Sequence, residues 1–280
     1  MKKTFIYILA FLGGITLNVH AQAPRIPEAS STQTIMQDFG LGKITITYSR
    51  PNVKGRVIFG GINPFGQVWR TGANAATTIN FSENVIVEGH NVPAGTYSLF
   101  TIPEKDTWTV ILNKTVKQWG AYSYKEADDF LRFQVKPINL DEKRETFTIQ
   151  FANETTKSSA LHLVWDHTAI LVHLETDDDA QITANIEELM KGNRKAYYFN
   201  AIQYYYENNK DMNKALGWAL EAEKVDPGPW YKLWEARIRL RMGDKNAAVA
   251  AAREGINLAK ASNDEEYIRL NQAVIDQAGS

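Results

Sequence analysis

Cysteine is absent from all 280 residues. That removes a disulfide framework, lipid attachment through a cysteine behind a leader, and a thiol nucleophile, so the fold has to be held by packing. A dominant charge is missing as well. Lysine and arginine number 31 against 32 acidic residues, and setting aside Lys2 and Lys3 of the leader described below leaves 29 against 32, a net of about −3. Such a balance points away from nucleic acid and from an anionic membrane surface. A membrane span is lacking too, because the sustained apolar run Phe5–Leu17 falls short of the roughly 20 residues a spanning helix needs.

Catalytic signatures are equally scarce. There is no G-x-S-x-G elbow, no H-E-x-x-H pair and no phosphate loop, and the glycines around Gly60 and Gly61 lack dinucleotide-loop spacing and a following helix. A glycosidase needs two carboxylates across a cleft. Glu83, Glu104, Asp106, Asp128, Asp129, Asp141 and Glu142 instead stand beside turns, where solvated acids are ordinary. No catalytic residue is assigned, and no cofactor is expected.

What is present begins with an address. Lys2 and Lys3, the apolar run, and Val19-His20-Ala21 form a secretory signal peptide over residues 1–21. The mature chain is therefore expected to be exported, to the periplasm or beyond the cell. Its composition changes near Thr176: residues 22–176 read as a strand-rich domain and 177–280 as a helical one. Asp177, Asp178 and Asp179 at the seam suit a linker and the start of a helix, where carboxylates oppose the dipole favourably.

The strand-rich part opens with an edge strand over Ala29–Asp38. Lys43–Arg50 follows, with Ile44, Ile46 and Tyr48 on one face and Thr45, Thr47 and Ser49 on the other. Further strands are expected over Thr77–Phe81, Asn84–Glu88, Gly95–Ile102, Trp108–Asn113, Leu131–Lys136 and Thr146–Phe151. Short strands between Gly, Pro and Asn turns predict an antiparallel β-sandwich. The last two, Ala160–Asp166 and Ala169–Glu175, read as a hairpin with His167 and Thr168 at its tip. That register sets His162 opposite His173, half of a zinc or copper site with no third ligand at recognisable spacing, so a metal is the weaker reading and a plain surface pair the favoured one.

Between Tyr48 and Thr78 the chain gathers Arg50, Arg56 and Arg70, Trp69, five glycines and two prolines. A connection that long is uncommon in a compact domain unless it has work to do. Planar guanidinium forks suit carboxylate, sulfate or phosphate oxygens, and a tryptophan offers a stacking face. Arg50, Arg56, Trp69, Arg70 and Asn74, with Trp119 and Tyr122 from a later glycine-interrupted loop, are the candidate ligand-binding residues. The three arginines are expected to share one rim with Trp69. Alternatively they bond to backbone carbonyls, Asp38 or Glu88 and hold the connection in shape.

Several ordered runs carry a resemblance: Tyr48-Ser49-Arg50-Pro51, Lys54-Gly55-Arg56, Ile58-Phe59-Gly60, Val68 to Asn74, Pro93 to Leu99, and Gln118-Trp119-Gly120-Ala121-Tyr122. Over roughly Ser31–Glu175 the chain resembles the domain of unknown function family 2911. The resemblance implies an exported bacterial β domain, often followed by helices, with no established reaction to carry over.

After Ala180 the apolar spacing turns helical. In Ala196–Pro227, Phe199, Ile202, Tyr206, Ala215, Ala219 and Ala222 fall where a tetratricopeptide repeat places large and small packing residues. Asp211-Met212-Asn213-Lys214-Ala215 returns as Asp244-Lys245-Asn246-Ala247-Ala248, close to that repeat's period. The fold expected is thus mainly β plus α, an antiparallel β-sandwich followed by a tetratricopeptide-like helical array. The function expected is a binding or assembly module, with a small anionic or sugar ligand on the β domain and a protein or peptide partner on the helices. The alternative is a secreted or periplasmic hydrolase of carbohydrate or peptide with an unrecognised carboxylate pair. N-terminal sequencing of the exported protein should begin at Gln22; retention of residues 1–21 would refute the leader.

Overall fold

A computed structural model describes residues 26–191 and 197–280. The leader expected over 1–21 and Ala196 lie outside those residues. The chain divides into two compact units between Thr176 and Asp177.

The first unit is built from two antiparallel sheets. One has the order β1-β2-β3-β6-β7-β8, with β1 Ser31–Phe39, β2 Gly42–Arg50, β3 Thr77–Phe81, β6 Gly95–Ile102, β7 Trp108–Asn113 and β8 Asp129–Val135. The other has the order β5-β4-β10-β9, with β4 Val85–Val87, β5 His90–Val92, β9 Ile138–Ala152 and β10 Ser158–Glu175. Period-two patterning explains β2: Ile44, Ile46 and Tyr48 are buried, while Thr45 and Thr47 stay half-exposed on the other face. Strand β7 is covered on both faces, because Trp108, Val110 and Leu112 enter the main core and Ile111 packs with Phe100 in a smaller cluster beside Tyr124.

Both sheets contribute to that main core. Ile46, Tyr48, Ile79, Leu99 and Val110 from one meet Phe147, Ile149, Leu163, Trp165 and Val172 from the other. Two side chains of β2 also tie the sheets together by hydrogen bonds. The Tyr48 hydroxyl accepts from the Ile149 amide at 2.9 Å and donates to Gln33 Oε1 at 2.8 Å, and burial pushes its pKa up. Arg50 reaches across to the Phe147 carbonyl and Thr148 Oγ1.

The expected hairpin after Ala160 does not form. Ser158–Glu175 is one continuous strand, paired along most of its length with β9 and at its end with β4. The misleading signal was a change of phase, from Leu161, Leu163 and Trp165 to Ile170, Val172 and Leu174. A turn would produce that change, and so does a local irregularity in a continuous strand; here the extra residues lie on β9, where Thr148 to Asn139 spans nine steps against four from Val164 to Thr168 on β10. The register with β9 shifts on both sides of Asp166, whose φ is +56°. His162 and His173 therefore stand near opposite ends of one strand. His162 faces Gln150, and His173 lies beside Glu88. Among the described residues no group of three or more His, Asp or Glu side chains is arranged to hold a metal.

The second unit contains six helices among the described residues: α1 Asp179–Met190, α2 Tyr198–Glu207, α3 Met212–Val225, α4 Pro229–Arg241, α5 Lys245–Ala261 and α6 Glu265–Gly279. From α2 onward each helix packs on the next, and α6 also reaches α4. The recurring aspartates are N-caps: Asp211 accepts from the Asn213 and Lys214 amides, Asp244 from Ala247 and Asp264 from Tyr267. Small residues permit the close approach. Ala215, Ala219, Ala236, Ala248 and Ala252 are buried, and a Cβ on Gly255 would lie 2.4 Å from Asn271 Oδ1 on α6. Lys232 on α4 meets Glu223, Glu235 and Glu254 from three helices and is nearly buried. Those three carboxylates raise its pKa against the opposing effect of burial.

Trp69 belongs to the core of the first unit, 6% exposed and surrounded by Phe59, Trp108, Phe147 and Trp165. Trp69→Ala should therefore lower unfolding stability by about 3–5 kcal/mol in a urea titration; a loss below about 1 kcal/mol would contradict its placement.

Candidate functional site

The connection from Pro51 to Ala76 is pinned at three places. At its start Asn52 bridges to Thr146 of β9, and the Val53 amide donates to the Glu145 carbonyl. In the middle Trp69 exchanges amide and carbonyl bonds with Thr101 of β6, at 2.7 and 2.9 Å, while its indole N–H donates to the Gly72 carbonyl. At the end Ala75 bridges to Trp119.

These pins fix an unusual turn. Thr71, Gly72 and Asn74 have φ of +53°, +155° and +57°. A β-branched residue at positive φ is strained. Thr71 is held there by its carbonyl, which accepts from Thr77 Oγ1 at 2.6 Å, and by its hydroxyl on that of Thr101. Gly72 is required where it stands, since a Cβ would sit 2.9 Å from the Ser49 carbonyl. The strained turn projects Arg70. Its Nη1 donates to the Asn74 carbonyl at 3.2 Å, and no carboxylate among the described residues pairs with it.

A second segment, Thr115–Tyr122, lies against this turn. Gln118 is buried and donates through Nε2 to the Thr115 carbonyl. The Gln118 carbonyl accepts from the Ala76 amide at 2.9 Å, and the Gly120 amide donates to the Asn74 carbonyl at 3.0 Å. That carbonyl thus takes both Gly120 and Arg70. With its backbone tied on both sides, the segment holds two large rings in solvent: Trp119 is 65% exposed and Tyr122 84%.

A concavity lies on either side of this loop. Beneath Tyr122 a cavity of about 300 Å³ is lined by Asn63, Gln67 and Arg70 among others. Beside Trp119 a groove of about 460 Å³ has Thr32, Thr47, Ser49 and Thr78 on its floor and Lys117 on its wall. Neither has an aspartate or glutamate among its lining residues.

The expected residues thus separate into groups. Arg70 and Tyr122 line one cavity, and Trp119 lines the groove on the other side of the loop. Asn74 lies beside them, its amide bonded to the Ser30 carbonyl and near Ser49 Oγ, so it supports the turn. Arg50 is committed to β9, and Arg56 donates to the Asn52 and Val53 carbonyls, as the shape-holding alternative had it. The expected rim shared by three arginines and Trp69 is not formed, because the indole turns into the aromatic core. Sequence reasoning missed Asn63, Gln67, Lys117 and the hydroxyl floor. The alternation of β2 already placed Thr47 and Ser49 on one face, but nothing in the sequence showed that residues 115–119 would wall that face.

The family described as "Protein of unknown function (DUF2911)" matches residues 30–174, more than half of the chain. The chain belongs to this family. No curated protein and no solved structure matches it. The DUF2911 match takes in the whole surface just described, from Thr32 to Tyr122, and ends just short of the junction between the two units.

Gly120 and Tyr122 should respond unequally to mutation. At φ +70° a Cβ on Gly120 would meet the Tyr122 ring at 2.7 Å and Arg70 Nη1 at 2.9 Å. Gly120→Ala is expected to cost at least about 1 kcal/mol, and Tyr122→Ala to stay within about 0.5 kcal/mol of the parent. Urea denaturation checks both, and a large loss for Tyr122→Ala would mean that the ring serves the fold.

Proposed function

We propose that this protein is an exported binding module whose DUF2911 domain captures a small anionic or sugar ligand on the surface formed by Arg70, Trp119 and Tyr122. The observation that carries the reading is two solvent-exposed aromatic rings held on a backbone tied down at Ala76, Asn74 and Gln118. Large rings kept in water on a rigid frame are disposed for contact, since ordering them beforehand lowers the entropic cost of binding. The unpaired guanidinium beside them adds a charged fork for an oxygen anion. Cavities of 300–1,000 Å³ are the usual size for small ligands, and both concavities lie in that range. The carboxylate-free lining favours binding over glycoside hydrolysis.

On this reading the first unit is an antiparallel β-sandwich, supported by the single core that both sheets share. The helical unit is a short tetratricopeptide-like array for contact with a protein. Its support is the capping aspartates Asp211 and Asp244 of α3 and α5 and the buried alanines that follow each. The final helix α6 closes the array.

Thermal-shift screening of the mature protein against acidic and neutral sugars, nucleotides, peptides and divalent metals tests the proposal. A ligand at a hundred times its Kd stabilises the folded state by about 2.7 kcal/mol. The expected result is a hit among the sugars or small anions that shifts the parent and not the Arg70→Gln, Trp119→Ala double variant. An equal shift in both proteins would remove the site from this surface.

A further inference from the structure

The two concavities share no lining residue, but they flank one loop. The groove ends at Trp119, the cavity begins at Ala121 and Tyr122, and Arg70 lies against Gly120 between them. Three residue steps separate Trp119 from Tyr122, at most about 10 Å of chain. A ligand filling both would be elongated and would cross the loop.

We propose that this surface takes a linear polysaccharide segment bearing uronic-acid carboxylates, with one carboxylate on the Arg70 guanidinium and adjoining rings on Trp119 and along the hydroxyl-lined groove. The inference rests on the binding reading above and specifies its ligand. Three features of the surface select this chemistry together.

The first is the charge. Arg70 uses Nη1 on the Asn74 carbonyl, and its remaining donors have no partner among the described residues. One planar fork matches one carboxylate in bidentate geometry. A nucleoside di- or triphosphate presents more charge than Arg70 and Lys117 supply, and neither concavity is built on a phosphate loop.

The second is the polar lining of the cavity. Asn63, Gln67 and Arg70 line it together, and two side-chain amides beside a guanidinium offer donors and acceptors to a ring rich in oxygen.

The third is the groove. Thr32, Thr47, Ser49 and Thr78 give a floor of hydroxyls beside the exposed indole of Trp119; Thr32 is bonded to Ser49 and Thr47 to Thr34, which leaves spare lone pairs on each pair to accept from a ligand. An apolar ring face above and alternating hydroxyls below complement a sugar, whose faces carry C–H groups and whose edges carry hydroxyls. A small anion would leave this groove unused, and a neutral sugar would leave the guanidinium fork unused. A carboxylated sugar chain engages both.

Isothermal titration of the mature chain tests this with tetragalacturonate, tetramannuronate, their carboxyl-reduced counterparts, monomeric galacturonate and ATP. At least one acidic tetramer is expected to bind tenfold or more tightly than its reduced counterpart and than the monomer. Arg70→Gln should bring the acidic tetramer down to the affinity of the reduced one, and Arg70→Lys should keep part of the preference. Trp119→Ala should weaken both tetramers severalfold, and its exposed position makes misfolding an unconvincing cause. Equal affinity for acidic and reduced chains, monomer binding as tight as tetramer, tighter binding of ATP, or no binding of either acidic tetramer would each overturn the polysaccharide assignment. If ATP binds in their place and loses affinity in the Arg70 and Trp119 variants, the binding surface stands with a different ligand. If every bound probe ignores both variants, the binding surface falls as well.

Discussion

The contact on which the first unit turns is the stack of Trp69 on Trp165, with ring centroids 5.6 Å apart and planes 18° from parallel. Trp69 belongs to a long connection, whereas Trp165 belongs to the longest strand of the other sheet. Phe59, from the same connection, packs edge-on to Trp69, Trp108 and Trp165. A segment with almost no regular strand is thereby made part of the core. Large rings bury more surface than any other side chains, so few residues suffice to anchor the rest of the segment.

Anchoring at Trp69 has a direct effect one residue later. With the indole buried and its backbone paired to Thr101, Arg70 must leave the core, and the positive φ of Thr71 and Asn74 folds the chain back under it. The Asn74 carbonyl then receives both Arg70 and Gly120. A chain of contacts runs from a buried stack, through a strained turn, to a loop that displays Trp119 and Tyr122. Strain of this kind persists only where its surroundings over-determine it, and here the hydroxyls of Thr77 and Thr101 do so.

Much of the first unit was legible in the sequence because its strands obey the two-residue period. β3, β6 and β7 fall on the expected residues, and β2 alternates as its side chains require. Reading failed where one pattern had two physical causes. The phase change between Trp165 and Ile170 fits a turn or a local irregularity equally, and only the long partner strand β9 decides for the irregularity. Trp69 failed for another reason. Beside Arg70 and Gly72 it had the company of a binding residue, and burial depends on Phe59, Trp108, Phe147 and Trp165, which are distant in sequence. Arg70, Trp119 and Tyr122 drew notice because their residue types stand out, and the structure places all three around the Gly120 loop. The hydroxyl floor did not, since threonines on the outer face of a sheet are unremarked until a loop roofs them.

β10 also has a mechanical consequence. Ser158–Glu175 runs unbroken to the junction with the helical unit, laddered to β9 and, at its end, to β4. Ladder bonds of an antiparallel pair lie across the strands, so tension applied through the junction along β10 loads them in shear and together. A hairpin there would have peeled open one bond at a time. The continuous strand therefore spreads a load arriving at that end over many ladder bonds at once.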